Sequence, residues 1–428
     1  MLRAFANAFK IPDLRKKILF TLAIIAIYRF GSHVPVPVVD ISKLTAALKQ
    51  QQGGFLSFID LFSGGALTRM AVFGLGIMPY ITSSIIMQLL TVVIPKLERW
   101  QKEGETGIKK INQVTRYVTV VLALLQSTGL VFLFHSRSSA LGGVDIFREG
   151  DFTTPNIALI VMVMTAGTAM IMWMGELITQ RGIGNGMSVL IFTSVISQLP
   201  SEGRSILLSG GTAKFITVLF IGLAIIVAVV WVEQGQRRIP VQYAKRVVGR
   251  RMTSGGSTYI PLKVNQAGVI PIIFAASILY FPTLVASVYH ANWFTNLVNN
   301  YLANQRSFVY MIVYGLLVVF FAYFYTAIAF NPVDTADNLR KYGGFVPGIR
   351  PGTPTANYLN YVLVRITLFG SLFLALIALL PTIVLAVWDI PQFPFGGTSL
   401  LITVGVALET MKQLESQLLM RHYEGFLK

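Results

Sequence analysis

Long apolar runs separated by short charged stretches dominate the chain, and ten of them approach the roughly 20 residues that a helix needs to cross a bilayer. They lie at about 18–36, 72–94, 117–135, 156–177, 184–200, 215–232, 267–288, 308–330, 359–381 and 398–414. The fifth and tenth are short and rich in glycine. Residues 264–305 contain no Asp, Glu, Lys or Arg, yet only one helix is assigned there, because "YHANWFTNLVNNYLANQ" is too polar for a second. One stretch breaks the pattern. "FIDLFSGGALTRMAVFGLG" (58–76) carries Asp60, a Gly64-Gly65 break and Arg69, and it runs into the second span without a hydrophilic loop.

Ten spans put both ends of the chain on one side, so positive charge can be counted by side. The termini and the segments on their side carry 25 Lys and Arg, and the opposite loops carry 7. The positive-inside rule then places both termini in the cytosol. Arg29 and Arg365 lie near span ends, where long basic side chains are expected to snorkel toward water.

Composition agrees with a membrane protein. The chain is 54% hydrophobic and 12% charged, with a mean hydropathy of +0.65, which excludes an ordinary water-soluble domain. The charges cluster between apolar runs, so one polytopic bundle is expected, with no separate soluble domain. The basic start "MLRAFANAFKIPDLRKK" resembles a signal peptide, but "RFGSHVPVPVVD" offers no small-x-small cleavage pattern, and an uncleaved first helix is expected.

Enzymatic chemistry finds little support. There is no cysteine, and His33, His135, His290 and His422 are scattered without ligand spacing. "RGIGNGMS" offers a G-x-G pattern, but it precedes an apolar helix and not the helix of a βαβ unit, and no phosphate-binding P-loop occurs. No cofactor and no catalytic residue are expected, and any nucleotide that drives the process is hydrolysed by a partner. Polar groups within spans are few: Thr82, Ser83, Gln126 and Asn265. No Asp or Glu among them suggests a proton relay, which argues against an ion-coupled transporter.

Two loops on the side of the termini are informative. Residues 233–265 carry seven positive charges against one negative, interleaved with Ile239, Val241, Tyr243, Val247 and Val248, with a Gly-Gly at 255–256. Period-two alternation predicts a protruding, hairpin-like β structure. Its charge fits either a topology signal attracted to anionic lipid or a docking knob for a large cytosolic partner rich in RNA phosphate, and its length and β-formers favour the knob. The second loop, 331–359, contains "YGGFVPGIRPG", a stiff turn-rich tip presenting Arg350.

The motifs "FSGGALTRMAVFGLGIMPYITSSIIMQLL", "RGIGNGMSVLIF", "KVNQAGVIPIIFA", "NPVDTADNLRKYGGFVPGIRPG" and "FGGTSLLI" resemble, in order and along nearly the whole chain, those of the bacterial SecY family, the channel subunit of the Sec protein translocase. The resemblance implies an all-α polytopic fold of ten transmembrane helices in two pseudo-symmetric inverted halves, residues 1–200 with spans 1–5 and residues 201–428 with spans 6–10, around an hourglass pore. It implies a plug at about 57–71, a short re-entrant helix including Asp60, Leu61, Phe62, Gly64, Gly65, Leu67 and Arg69. It implies a pore ring of Ile77, Ile81, Met187, Ile191, Ile273 and Ile402, with Met187 where the family often has isoleucine. A lateral gate between spans 2 and 3 and spans 7 and 8 would include Thr82, Gln126 and Asn265. Arg237, Arg238, Lys245, Arg246, Arg250, Arg251 and Arg350 match the surfaces that bind the ribosome and the SecA motor. SecE and SecG subunits, signal-bearing preproteins and the lipid bilayer are the other partners implied, in the bacterial plasma membrane. A polytopic small-solute transporter is the alternative that ten spans and an inverted repeat would also serve.

Overall fold

The computed structural model describes residues 9, 11–37, 39, 60, 62–135, 152–243, 246–248, 251–253, 256–288, 292–302, 307–388 and 397–426. Each of the ten apolar runs holds helix. In chain order the helices are α1 Pro12–Gly31, α2 Met78–Val93, α3 Pro95–Lys102, α4 Glu105–His135, α5 Thr154–Arg181, α6 Gly186–Gln234, α7 Ile270–Val288, α8 Asn292–Leu297, α9 Phe308–Ala329, α10 Pro332–Lys341, α11 Thr353–Trp388 and α12 Gly397–Phe426. Among the described residues five helical stretches are by themselves long and apolar enough to cross a membrane, and a sixth is added if α2 and α3, bent by 99°, count as one. The chain is an all-α, multi-pass membrane protein.

Three boundaries differ from the sequence reading. The second span becomes helical only at Met78, because Pro79 suits a first turn and residues 72–77 are folded into turns beneath it. The fifth helix does not stop at Pro200; α6 continues to Gly211, whose φ of 74° and ψ of 174° break it before the sixth span. The tenth continues through the expected polar tail to Phe426. That extension is anchored where Leu414 packs with Leu14, Ile18 and Ile183, so tertiary contact keeps a mixed sequence helical.

Apolar packing falls into large clusters. One joins α4 and α5 to residues 67–75, through Leu67, Met70, Leu130, Phe134, Ile160 and Met164. Another joins the second part of α6 to α7, α9, α11 and α12, through Val229, Ile272, Phe274, Val318, Leu374 and Leu401. Ile85 and Leu89 of α2 lie against this second cluster. The third lies between them and contains the waist described below.

The two basic loops form one structure. Strand β1 Gln236–Tyr243 pairs antiparallel with β4 Ser257–Lys263, and it also pairs with β5 Gly344–Phe345 from the second loop. A smaller ladder, β2 Arg246–Val248 with β3 Arg251–Thr253, lies between β1 and β4 in the chain. The expected alternation is present in β1: Ile239 and Val241 are buried with Leu262, Leu339, Val346 and Leu359, while Arg238, Pro240 and Gln242 are exposed. Helix α10 was not expected in a turn-rich loop. Its signals are nonetheless local: Asn331 accepts from Val333 N–H at 3.0 Å, Pro332 opens the helix, Asp334 lies in its first turn, and Arg340 and Lys341 end it.

Candidate functional site: an apolar waist under a plug segment

The first and last parts of the chain meet around six aliphatic side chains. Ile77 precedes α2 and Ile81 lies one turn into it; Met187 and Ile191 share a face of α6; Ile273 lies on α7 and Ile402 on α12. Five are buried and Ile81 is partly so, and all six belong to one apolar cluster. The structure therefore brings together residues spaced over more than three hundred positions. Close packing of α5 on α6 sets part of this geometry. A Cβ on Gly186 would overlap the Gly175 carbonyl oxygen, and a Cβ on Gly175 would overlap the Met187 sulfur. Asn185 caps α6 by accepting from Met187 N–H at 3.1 Å, which starts the helix one residue before the ring. Gly186, the last glycine of "RGIGNG", serves this close approach.

A cavity of about 590 Å³ opens on the side of the β-sheet, and Ile81, Met187, Ile191, Ile273 and Ile402 line it. Its remaining lining includes Gln88, Asn185, Glu233, Lys263, Asn265, Glu409 and Lys412. The cavity thus has a charged wall of both signs and an aliphatic wall. Sequence reasoning missed Glu233, Lys263, Glu409 and Lys412, which are ordinary span-end charges until the fold gathers them.

The segment around residues 60–71, expected to be the plug, packs against the waist. Phe62 and Ala66 are fully buried in the same cluster as the six. Among the described residues the segment is not one helix: a helical turn ends at Ser63, Gly64 and Gly65 follow with φ of 67° and 83°, and Leu67–Arg69 form a short 3-10 turn. Asp60 organises it. Its Oδ1 accepts from Thr68 N–H at 3.1 Å and from the Ser63 hydroxyl at 3.4 Å. Asp60 lies between spans, and burial pushes its carboxyl up to about 6 against the pull of those hydrogen bonds and of Arg69. Leu67 is buried and Arg69 exposed; Leu61 lies outside the described residues. At the end of this segment Val36 N–H donates to Met70 O at 2.8 Å and Val72 N–H to Val34 O at 2.9 Å, so the chain there is stitched to the residues that follow α1.

The three expected gate residues are not joined by hydrogen bonds. The Thr82 hydroxyl donates to Met78 O of its own helix at 2.9 Å. Asn265, buried, donates through Nδ2 to Glu233 Oε1 at 2.6 Å and to Gly268 O at 3.1 Å. Gln126 is half-buried on α4. In the basic loops Arg237 and Arg238 are exposed, and Arg238 lies 4.9 Å from the Tyr259 ring. Arg246 and Arg251 are placed on β2 and β3 by their backbones; Lys245 and Arg250 lie outside the described residues. Arg350 is exposed between Gly348 and Gly352, at φ of 83° and 101°, and its carbonyl accepts from the Thr355 hydroxyl at 2.8 Å. Of the two arginines expected to snorkel, Arg365 stacks 4.0 Å over Tyr361, whereas Arg29 turns inward to the plug.

A helical bundle with a water-accessible cavity, an aliphatic waist and a compact stopper defines a gated membrane channel. Comparison with known proteins agrees. The SecY family matches residues 71–411. The protein translocase subunit SecY of Streptomyces galbus is 56% identical over 441 residues, and that of Mycobacterium tuberculosis 51% over 442, each covering the whole of both chains. Among solved structures, "The structure of a protein conducting channel" covers 96% of both chains at 17% identity with a TM-score of 0.63. Sec61 in the canine ribosome-channel complex covers 96% of both at 16% with 0.61. The chain belongs to the SecY family.

Proposed function

We propose that the chain is the protein-conducting channel of a bacterial general secretory pathway, passing unfolded polypeptides across the plasma membrane and releasing apolar segments sideways into lipid. The observation that carries this reading is the six-residue waist, drawn from α2 and α6 on one side and α7 and α12 on the other. Alkyl groups hold water poorly and so block ions, yet they can rotate aside for an extended peptide with no specific bond to break. A solute transporter needs convergent polar groups at its binding point. The waist itself has none, although polar and charged side chains line the cavity beside it; the match to the SecY family over residues 71–411 is what disfavours that alternative.

The two halves, residues 1–200 and 201–428, part along a seam between α2 and α4 and α7 and α9. Thr82, Gln126 and Asn265 lie along it, where single polar bonds are worth only about 0.6 kcal/mol. The chain has no chemistry of its own and relies on a motor. The basic sheet and the Arg350 tip face the cytosol together with both termini, and they dock the ribosome and SecA; the pairing of β1 with β5 makes them one platform. SecE and SecG complete the assembly. A photocrosslinker at position 191 or 273 tests the path. With a polypeptide stalled in transit both should give adducts, and position 376 on the outer surface of α11 should give none. Absence of adducts from both waist positions would remove the proposal.

A further inference from the structure

Arg29 sits near the end of α1, where a basic side chain ordinarily reaches for water, and it does the opposite. Its Nη1 donates to the Gly64 carbonyl at 3.0 Å and to the Ser197 hydroxyl of α6 at 2.9 Å. Tyr28, fully enclosed, shares a 2.6 Å hydrogen bond with the Ser194 hydroxyl and donates to Ser63 O at 3.4 Å. Gln198 Nε2 donates to Asp60 O at 2.6 Å and reaches its Oδ2 at 3.3 Å. Side chains of α1 and α6 therefore hold the carbonyls of residues 60, 63 and 64, at the end of the plug's helical turn. The approach is close enough to exclude a side chain at residue 64. A Cβ there would lie 2.9 Å from Arg29 Nη1 and 3.1 Å from Ser194 Cα, on a backbone already at φ of 67°.

On the reading of residues 60–70 as a plug, we infer that Arg29 is a positioning residue, the centre of a polar latch that seats the plug and ties it to α1 and to the first part of α6. The physical contrast with the waist is the point. Apolar contact yields gradually as surfaces slide, whereas a charge-assisted hydrogen bond is directional and weakens steeply with misalignment. The latch gives plug release a discrete threshold. Both anchoring helices belong to the N-terminal half, so separation of the halves alone leaves the latch intact. A translocating chain must dislodge the plug from α1 and α6 as a second event.

The test uses the absence of native cysteine. Leu67 is fully buried, so a cysteine placed there reacts with a membrane-impermeant maleimide only when the plug leaves its seat. In the assembled translocase in proteoliposomes, Arg29→Met keeps much of the stem and removes both hydrogen bonds. It should speed labelling at position 67 by roughly tenfold, the scale of losing a charged hydrogen bond at a half-buried site. Arg29→Lys, with one point donor, should fall between. Tyr28→Phe removes the hydroxyl's bonds to Ser194 and Ser63, and Ser197→Ala removes one bond to Arg29; each should raise the rate about two- to fivefold, and they decide the matter if Arg29→Met does not accumulate. Labelling unchanged in all variants would overturn the latch. The rate reports plug position whether or not polypeptide passes, so that result leaves the channel reading to the crosslinks at the waist.

Discussion

Ile402 offers the sharpest test of the waist. It is 2% exposed, packed among the ring and the plug face of the central cluster. Fully burying an isoleucine side chain is worth about 1.5–3 kcal/mol, of which about half is forfeited if only its pore-facing side is uncovered on opening. Ile402→Asn removes that gain and adds a buried amide whose unmet hydrogen bonds cost about 1–3 kcal/mol in a dry site. The closed waist is therefore destabilised by about 2–4 kcal/mol. At about 1.4 kcal/mol per tenfold, this shifts the sealed-to-open ratio by roughly 30- to 1000-fold. The amide also gives water up to about four hydrogen-bonding positions in a constriction that otherwise dewets. Ile402→Leu conserves volume and costs under about 1.5 kcal/mol. The assay is resting ion conductance in reconstituted bilayers, run with and without residues 60–70 because the plug is a second barrier. The Asn variant should leak strongly in the plug-deleted background and the Leu variant should match its parent. Equal conductance of the two would show that Ile402 does not line the constriction.

Deleting residues 60–70 should leave a protein that inserts normally and leaks ions at rest; loss of the protein from the membrane would make the segment part of the core. Charge reversal at Arg250 and Arg251 should weaken ribosome binding, and wild-type binding should fall as salt rises, measured by titration at several ionic strengths. Arg350→Glu should impair motor-driven translocation more than ribosome binding, and equal loss of both would make Arg350 a general docking residue. Gln126→Leu should shift the gate population without abolishing closure, seen as easier passage of substrates with defective signals and a changed crosslink between α2 and α7. Asp60 predicts a pH dependence. Its carboxyl titrates at about 6 in the seated plug, above the ordinary value near 4, so ionisation costs the seated state and protonation relieves it. Resting leak should fall as pH drops through about 6. Asp60→Asn, which retains an acceptor for Thr68 N–H, should be flat across that range.

The spans, the membrane class and the alternating strand β1 were legible because each rests on a local periodicity. Runs of about 20 apolar residues have one stable use, and Ile239 and Val241 face inward at period two wherever a sheet forms. The ring residues were legible only through resemblance. Ile77 and Ile273 are chemically indistinguishable from exposed isoleucines such as Ile216 and Ile312, and local pattern does not say which face meets a pore. Helix α10 was readable from Asn331, Pro332 and its charge bias, but the punctuation of "YGGFVPGIRPG" drew the reading toward turns.

The amino-acid sequence by itself determined that this chain lives in a bilayer, with its charges gathered in the stretches between apolar runs. Solvation decides that locally: apolar residues leave water and charges stay in it, whatever their neighbours. Only the tertiary structure decided which six aliphatic side chains close on one another, that β5 completes the sheet of a loop about one hundred residues earlier, and that Arg29 turns from water to hold Gly64. Those choices depend on which helix faces pair, and a guanidinium gives up hydration only where the fold has placed Gly64 O and Ser197 Oγ to receive it.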